Sequence, residues 1–193
     1  MKNLIILSLL ISLVMTGCAE KKYIKEVISE KNVTISLRET YNEKYLVLLI
    51  PVEFELNLNK AKIFSVVDYY SKNNKYMFPA EDYIFVDVNT NKIMLGFDRF
   101  KPYHYPKNIY LLERKRKISE EEALLLIQKY NPTAHLDNIK RENDTIKLVS
   151  YKQYREDNPK FLEEMRKISD TLTLSISISG KDENVIDKLK INW

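Results

Sequence analysis

The side chains able to do chemistry are few, and most lie apart from one another. The chain has one thiol, Cys18, and two imidazoles, His104 and His135, thirty-one positions apart, with no His-x-x-x-His or His-Glu pairing at helical spacing. One cysteine forms no intrachain disulfide and no cysteine-based metal site, so neither a metal nor a cofactor is expected. Glu120, Glu121 and Glu122 form the tightest carboxylate cluster, and Asp82 and Asp98 are further carboxylates that a hydrolase could use. The richest segment is Phe97-Asp98-Arg99-Phe100-Lys101-Pro102-Tyr103-His104-Tyr105-Pro106-Lys107. Its two prolines pre-set an extended backbone and lower the entropy lost on binding. Rings beside cations suit stacking and polar contact on a protein or sugar surface. Arg99, Phe100, Lys101, Tyr103, His104 and Tyr105 are therefore the candidate binding surface.

What is missing narrows the chemistry. Glycine occurs three times, at Gly17, Gly96 and Gly180. That is too few for a phosphate-cradling loop, a dinucleotide fingerprint or a Gly-x-Ser-x-Gly elbow. The charge, 31 basic against 27 acidic side chains for a net +4, is interspersed. That pattern describes a solvated mixed surface, and no nucleic-acid partner is expected. Arg114-Lys115-Arg116-Lys117 is the densest basic run and reads as a solvated strand end or loop. The three glutamates follow Ser119, and acids in a first helical turn answer the helix dipole, so no catalytic residue is assigned. Asp144-Thr145 and Asp170-Thr171, each followed by an aliphatic residue, match a short O-glycan acceptor pattern.

The address is clearer than the task. Lys2-Asn3 precedes an apolar run from Leu4 to Val14, then Met15-Thr16-Gly17-Cys18. A basic start, a short apolar run and a small-residue exit make a secretory leader, and the run is short of the roughly 20 residues a spanning helix needs. The leader resembles the bacterial lipoprotein signal, whose lipobox ends in a small residue and an obligatory cysteine. The resemblance implies cleavage after Gly17, diacylglycerol on the Cys18 sulfur and an acylated (palmitate-type) amino group. Two acyl chains anchor stably. Ala19, where Asp would signal inner-membrane retention, implies the outer membrane. The expected organisation is a signal peptide over 1–17, an acylated tether over 18–30 and one α+β domain over 31–193.

The elements that must position the candidate residues follow from periodicity. Val33, Ile35 and Leu37 alternate with polar neighbours, Tyr45 to Leu49 is apolar, and Val52, Phe54, Leu56 and Leu58 alternate again, with Pro51 marking a bulge or edge. Ile63–Tyr70, a hairpin of Tyr83–Val88 with Lys92–Phe97, and Ile109–Glu113 complete a β-rich, sandwich-like part over 31–115. The part over 118–193 mixes helix and strand. Ser119 and Glu122 form a capping box ahead of an apolar face of Ala123, Leu124, Ile127 and Tyr130 that Pro132 ends. Thr145–Tyr151 reads as a strand, and Asn158-Pro159 as the start of a second helix with Phe161, Leu162, Met165 and Ile168 inward. Leu172 to Ile178 alternates, and Leu189, Ile191 and Trp193 close the chain as a strand. The fold class expected is α+β, mainly antiparallel β, with about two helices.

The segment from Ile118 to Tyr151 resembles the helix-then-strands unit of PepSY domains, over less than a fifth of the chain and without that unit's usual glycines. The resemblance implies a binding or inhibitory role. The expectation is a lipid-anchored envelope protein, a non-catalytic module whose partner is an envelope protein or glycan. Alternatives are an immunity or inhibitor protein against a toxin or hydrolase, and an envelope glycan hydrolase using Asp98 or Asp82.

Overall fold

The computed structural model describes residues 22–39, 41–60, 62–79, 82–113, 117–141 and 144–193. The leader, Cys18 and Ala19, and Arg114 to Arg116 of the basic run lie outside the described residues. The fold is α+β and mainly antiparallel β, as the periodicities require.

Three antiparallel sheets carry the chain. The first has the order β1-β4-β9-β7-β8, built from Ile24–Val27, Pro51–Leu56, Asn108–Glu113, Tyr83–Asp87 and Ile93–Met94. The second, β10-β3-β2-β11, uses Lys117–Ile118, Lys44–Leu49, Asn32–Glu39 and Thr145–Ser150. The third, β13-β12-β5-β6, uses Val185–Lys190, Asp170–Ile178, Ile63–Lys72 and Lys75–Tyr76. Pro51 pairs with Leu112 of β9 on one side, and on the other the β1 pairing ends at Glu53, which fits the edge position expected for it. It stands where one extended run leaves the second sheet and enters the first, with Val52 N–H donating to Ile50 O at 3.1 Å. A residue without an amide proton suits a corner where the ladder must break.

The alternating strands bury the side expected. Val33 and Ile35 of β2, Val52 and Phe54 of β4, and Leu172, Leu174 and Ile176 of β12 are buried. The third sheet meets the first through rings: Tyr70 of β5 lies edge-on to Tyr83 of β7 at 5.0 Å, which continues to Phe85 and Phe97. One apolar cluster runs from Tyr23 to Trp193 and draws on all three sheets. At about 25 cal/mol per Å² of buried apolar surface, such rings contribute most per residue.

Helix α1, Glu120–Tyr130, starts at Ser119, whose hydroxyl accepts from Glu122 N–H at 3.0 Å, and Asn131 follows it as the C-cap. Its inward stripe is Ala123 and Ile127 with Leu126 at the margin; Leu124, expected inside, is 49% exposed. The strand expected to reach Tyr151 stops at Ser150, which caps helix α2, Tyr151–Asp157, by accepting from Gln153 N–H. Alternation and a helix start overlap at Ser150, and capping ends the strand one residue early. Helix α3, Pro159–Lys167, begins with Pro159 as expected and buries Phe161, Leu162 and Met165. Asn158 does not cap it with its side chain. Its amide donates backward to Tyr154 O and to Tyr130 Oη, both at 2.8 Å.

Two ends are also corrected. The chain expected to run as a tether to Glu30 joins the first sheet instead: β1 pairs with β4 from Ile24↔Leu56 to Val27↔Glu53, and Tyr23 and Ile24 are buried. The short charged sequence hides this because each face of the four-residue strand pairs one apolar with one charged residue, Ile24 with Glu26 and Val27 with Lys25. At the other end the strand stops at Lys190, and Ile191 and Trp193 are buried beyond it, Trp193 Nε1 donating to Asp170 Oδ2 at 3.0 Å.

Candidate functional site

The candidate residues lie on the thirteen-residue connection from Leu95 to Lys107, between β8 and β9. Connections of this length inside a packed fold usually carry function. The connection has almost no regular structure, so side chains from elsewhere must hold it. Gly96 opens it with φ +137°, a backbone state closed to other residues. Phe97–Arg99 form one 3-10 turn, and Phe97 N–H donates to Asp68 Oδ1 at 3.0 Å. Asp68 stands on the inward face of β5, and Tyr83 Oη donates to its other oxygen at 3.3 Å. Burial holds the Asp68 carboxyl above its ordinary pKa, against the lowering effect of those two hydrogen bonds, with a smaller push from Asp98. Burial and the Asp68 charge hold the Tyr83 hydroxyl well above the usual phenol range.

The far half is clamped a second way. Asn59, just past β4, donates its amide to Tyr105 O at 2.6 Å and accepts from Tyr105 N–H at 3.0 Å, imitating a strand partner. Between the clamps, His104 N–H donates to Lys101 O at 3.1 Å, closing a turn over Pro102 and Tyr103. Proline second and a positive φ third is the pattern of a type II turn. The third residue is Tyr103 at φ +68°, a position that favours glycine.

The structure divides the six candidates. Lys101, Tyr103 and His104 are exposed on this turn and Arg99 at the end of the 3-10 turn before it, with Tyr103 54% exposed and His104 Nδ1 donating back to Pro102 O at 2.8 Å. Phe100 is half-buried against the core. Tyr105 does not belong to the surface: it is 4% exposed and stacks against Phe97 and Phe100. Burial raises its hydroxyl pKa. The segment's alternation of rings and cations hides this, because an irregular backbone turns neighbouring rings to opposite sides.

The other candidates fall into place by their partners. Glu120, Glu121 and Glu122 occupy the first turn of α1. Asp82 is buried and tied to Phe78, accepting its N–H at 3.0 Å. The carboxyl placed beside Asp98 is that of Asp68: a methyl group on Gly96 would lie 2.6 Å from Asp98 Oδ1 and 3.6 Å from Asp68 Oδ1. Lys117 bridges Glu43 and sits 4.2 Å above the Tyr45 ring. His135 is exposed before a short 3-10 turn. Thr145 is exposed, whereas Thr171 is 8% exposed inside the third sheet. Among the described residues no group of three or more His, Cys, Asp or Glu side chains is placed to hold a metal ion. Among them, too, no helix is long and apolar enough to cross a membrane.

Sequence reasoning missed Asp68, Asn59 and Tyr83, the residues that hold the connection. One signal was present: Asp68 lies between Val66 and Tyr70 on the inward row of its strand, where a carboxylate needs donors. It also missed a cleft of about 620 Å³ beside the second clamp, lined by Lys22, Lys25, Glu55, Asn57, Asn59 and Lys107 among others. No family model, curated protein or solved structure matches the chain.

Proposed function

We propose that this is a lipid-anchored protein of the bacterial cell envelope, held through acylated Cys18 on the outer membrane, whose folded part is a non-catalytic binding module. The observation that carries the binding reading is the Leu95–Lys107 connection. Its backbone is fixed by Asp68 and Asn59, while Arg99, Lys101, Tyr103 and His104 project into solvent. A bulky exposed residue kept at φ +68° stores strain, and such strain gathers where contact is made. A pre-ordered turn loses little entropy on association. Two cations, an imidazole and a phenol ring suit an envelope protein or glycan, by hydrogen bonds to acidic or hydroxyl groups and by stacking.

The anchor and the binding surface are tested separately. Mass spectrometry of the mature protein reads the anchor: a diacylglyceryl-cysteine N-terminus is expected, and Cys18→Ala removes the acyl label. A photo-crosslinking amino acid in place of Tyr103, with Leu125 on α1 as the exposed control, reads the surface in intact envelopes. A discrete adduct at position 103 but not 125, lost when Arg99→Glu and Lys101→Glu are added, is the expected result. Equal labelling at both positions, or none at 103, overturns it.

A further inference from the structure

A second surface lies on the side where the chain enters the fold. The 620 Å³ cleft is lined by Lys22, Lys25 and Lys107. A neighbouring cleft of about 390 Å³ is lined by Lys22, Lys181 and Lys188. The two share Lys22 and Tyr23, so Tyr23 forms the ridge between them, with Lys60 Nζ 5.3 Å above its ring. Lys22, Lys25, Lys107, Lys181 and Lys188 are all exposed. None of the five forms an ion pair among the described residues.

Two acids line the same clefts. Asp187 is engaged by the fold: its Oδ2 accepts the N–H groups of both Tyr23 and Ile24 and ties β1 to β13. Glu55 stands opposite Lys25 across the β1–β4 ladder. The β12–β13 connection adds Asp182 and Glu183, which are exposed and line neither cleft. The linings therefore hold an excess of cations.

Their place along the chain says what that excess meets. Lys22 is four residues after Cys18. Four extended residues span at most about 14 Å, so an acylated Cys18 keeps the Lys22 edge of the fold within about two Debye lengths of the headgroups at physiological salt. We infer that the lysine-lined clefts on either side of Tyr23 seat the phosphate headgroups of anionic phospholipids in the anchoring membrane. The inference rests on the acylation reading. The surface contact fixes the orientation of the fold on the bilayer, beyond what a flexible anchor does. Each lysine near an anionic surface adds about fivefold to membrane partition, and the Asn57 side of the cleft adds polar contacts.

Lysine acetylation rates of the full-length acylated protein test this on two kinds of vesicle, phosphatidylcholine alone and phosphatidylcholine mixed with phosphatidylglycerol. Lys25, Lys107 and Lys188 are expected to react at least about threefold more slowly on the mixed vesicles. Lys160, exposed on α3, is expected to react equally on both. High salt abolishes the difference, and the triple variant Lys25→Glu, Lys107→Glu, Lys188→Glu abolishes the matching slowing at the two remaining cleft lysines, Lys22 and Lys181. Equal rates on both vesicles overturn the inference. The same slowing by dissolved inorganic phosphate on neutral vesicles overturns the assignment to lipid. Flotation with phosphatidylcholine vesicles scores the acyl anchor independently: a chain that does not float has lost the anchor reading, while its lysine rates on mixed vesicles still decide the clefts.

Discussion

The Leu95–Lys107 connection and helix α1 are similar in length and opposite in how they are held. Helix α1 is specified by its own residues: Ser119 caps it, three glutamates meet its dipole, and Asn131 ends it within reach of Pro132. The connection borrows its shape from afar. Asp68 is twenty-nine residues from its partner Phe97, and Asn59 is forty-six from Tyr105. Local help comes from Gly96, the prolines and two short turns closed by Phe100 and His104 N–H. A self-specified helix lends the fold stability, whereas a segment clamped from outside can present strained, exposed side chains that no local preference would choose.

The sharpest way to break this contrast is Asp68→Ala. It leaves Phe97 N–H and the buried Tyr83 hydroxyl without their acceptor, a loss of about 2–3 kcal/mol. Urea unfolding should show it, and hydrogen exchange should accelerate over the connection while α1 keeps its protection relative to the global stability. Asn59→Ala removes the second clamp and should cost about 1–2 kcal/mol, with faster exchange confined to residues around Tyr105. The opposite perturbation, Ser119→Ala, should cost about 1 kcal/mol and loosen the first turn of α1 alone. The smallest effect has the other sign. Tyr103→Gly relieves the positive φ, offset by greater freedom in the unfolded chain, and should stabilise by about 0.5 kcal/mol while removing the Tyr103 ring. A stabilised protein in which the proposed binding is undamaged would separate the strain from that binding.

Acid gives a further handle on the first clamp. Asp68 binds its proton more tightly when folded, because burial raises its pKa above the ordinary value of 3.8. Folded molecules therefore hold more protons than unfolded ones between that value and the raised one, and Asp68's contribution to stability falls as pH rises through that window. Below it the cost of burying the charge is absent; above it the cost is carried in full. Asp68→Asn removes the titration, so its stability relative to the wild type should increase across the window and level off above it. A difference that stays flat with pH would mean the carboxyl is not buried against Phe97 and Tyr83.

Much of the fold was legible because it is local. Period-two alternation located β2, β4 and β12, and Ser119 and Pro159 located two helix starts. The misreadings share a cause. Ser150 could end a strand or cap a helix, and packing of Tyr151 and Tyr154 into the core decides for the helix. Residues Ile24–Val27 have too few apolar side chains to announce a strand, yet pairing with β4 satisfies their backbone. At the site, the segment itself was legible, but its division was not: Tyr103 and Tyr105 are the same residue type two positions apart, one exposed and one in the core.

The sequence alone determined the class of fold and the basic character of the chain, because periodicity and charge are properties of neighbours along the chain. It also carries the apolar run from Leu4 to Val14 and Cys18, on which the proposed anchor rests. Only the tertiary structure decided which rings face water, which carboxylate pins the connection, and that Lys22, Lys107 and Lys188 converge around Tyr23. Hydrogen bonds and electric fields act through space, and residues far apart in sequence meet only after the sheets have brought them together.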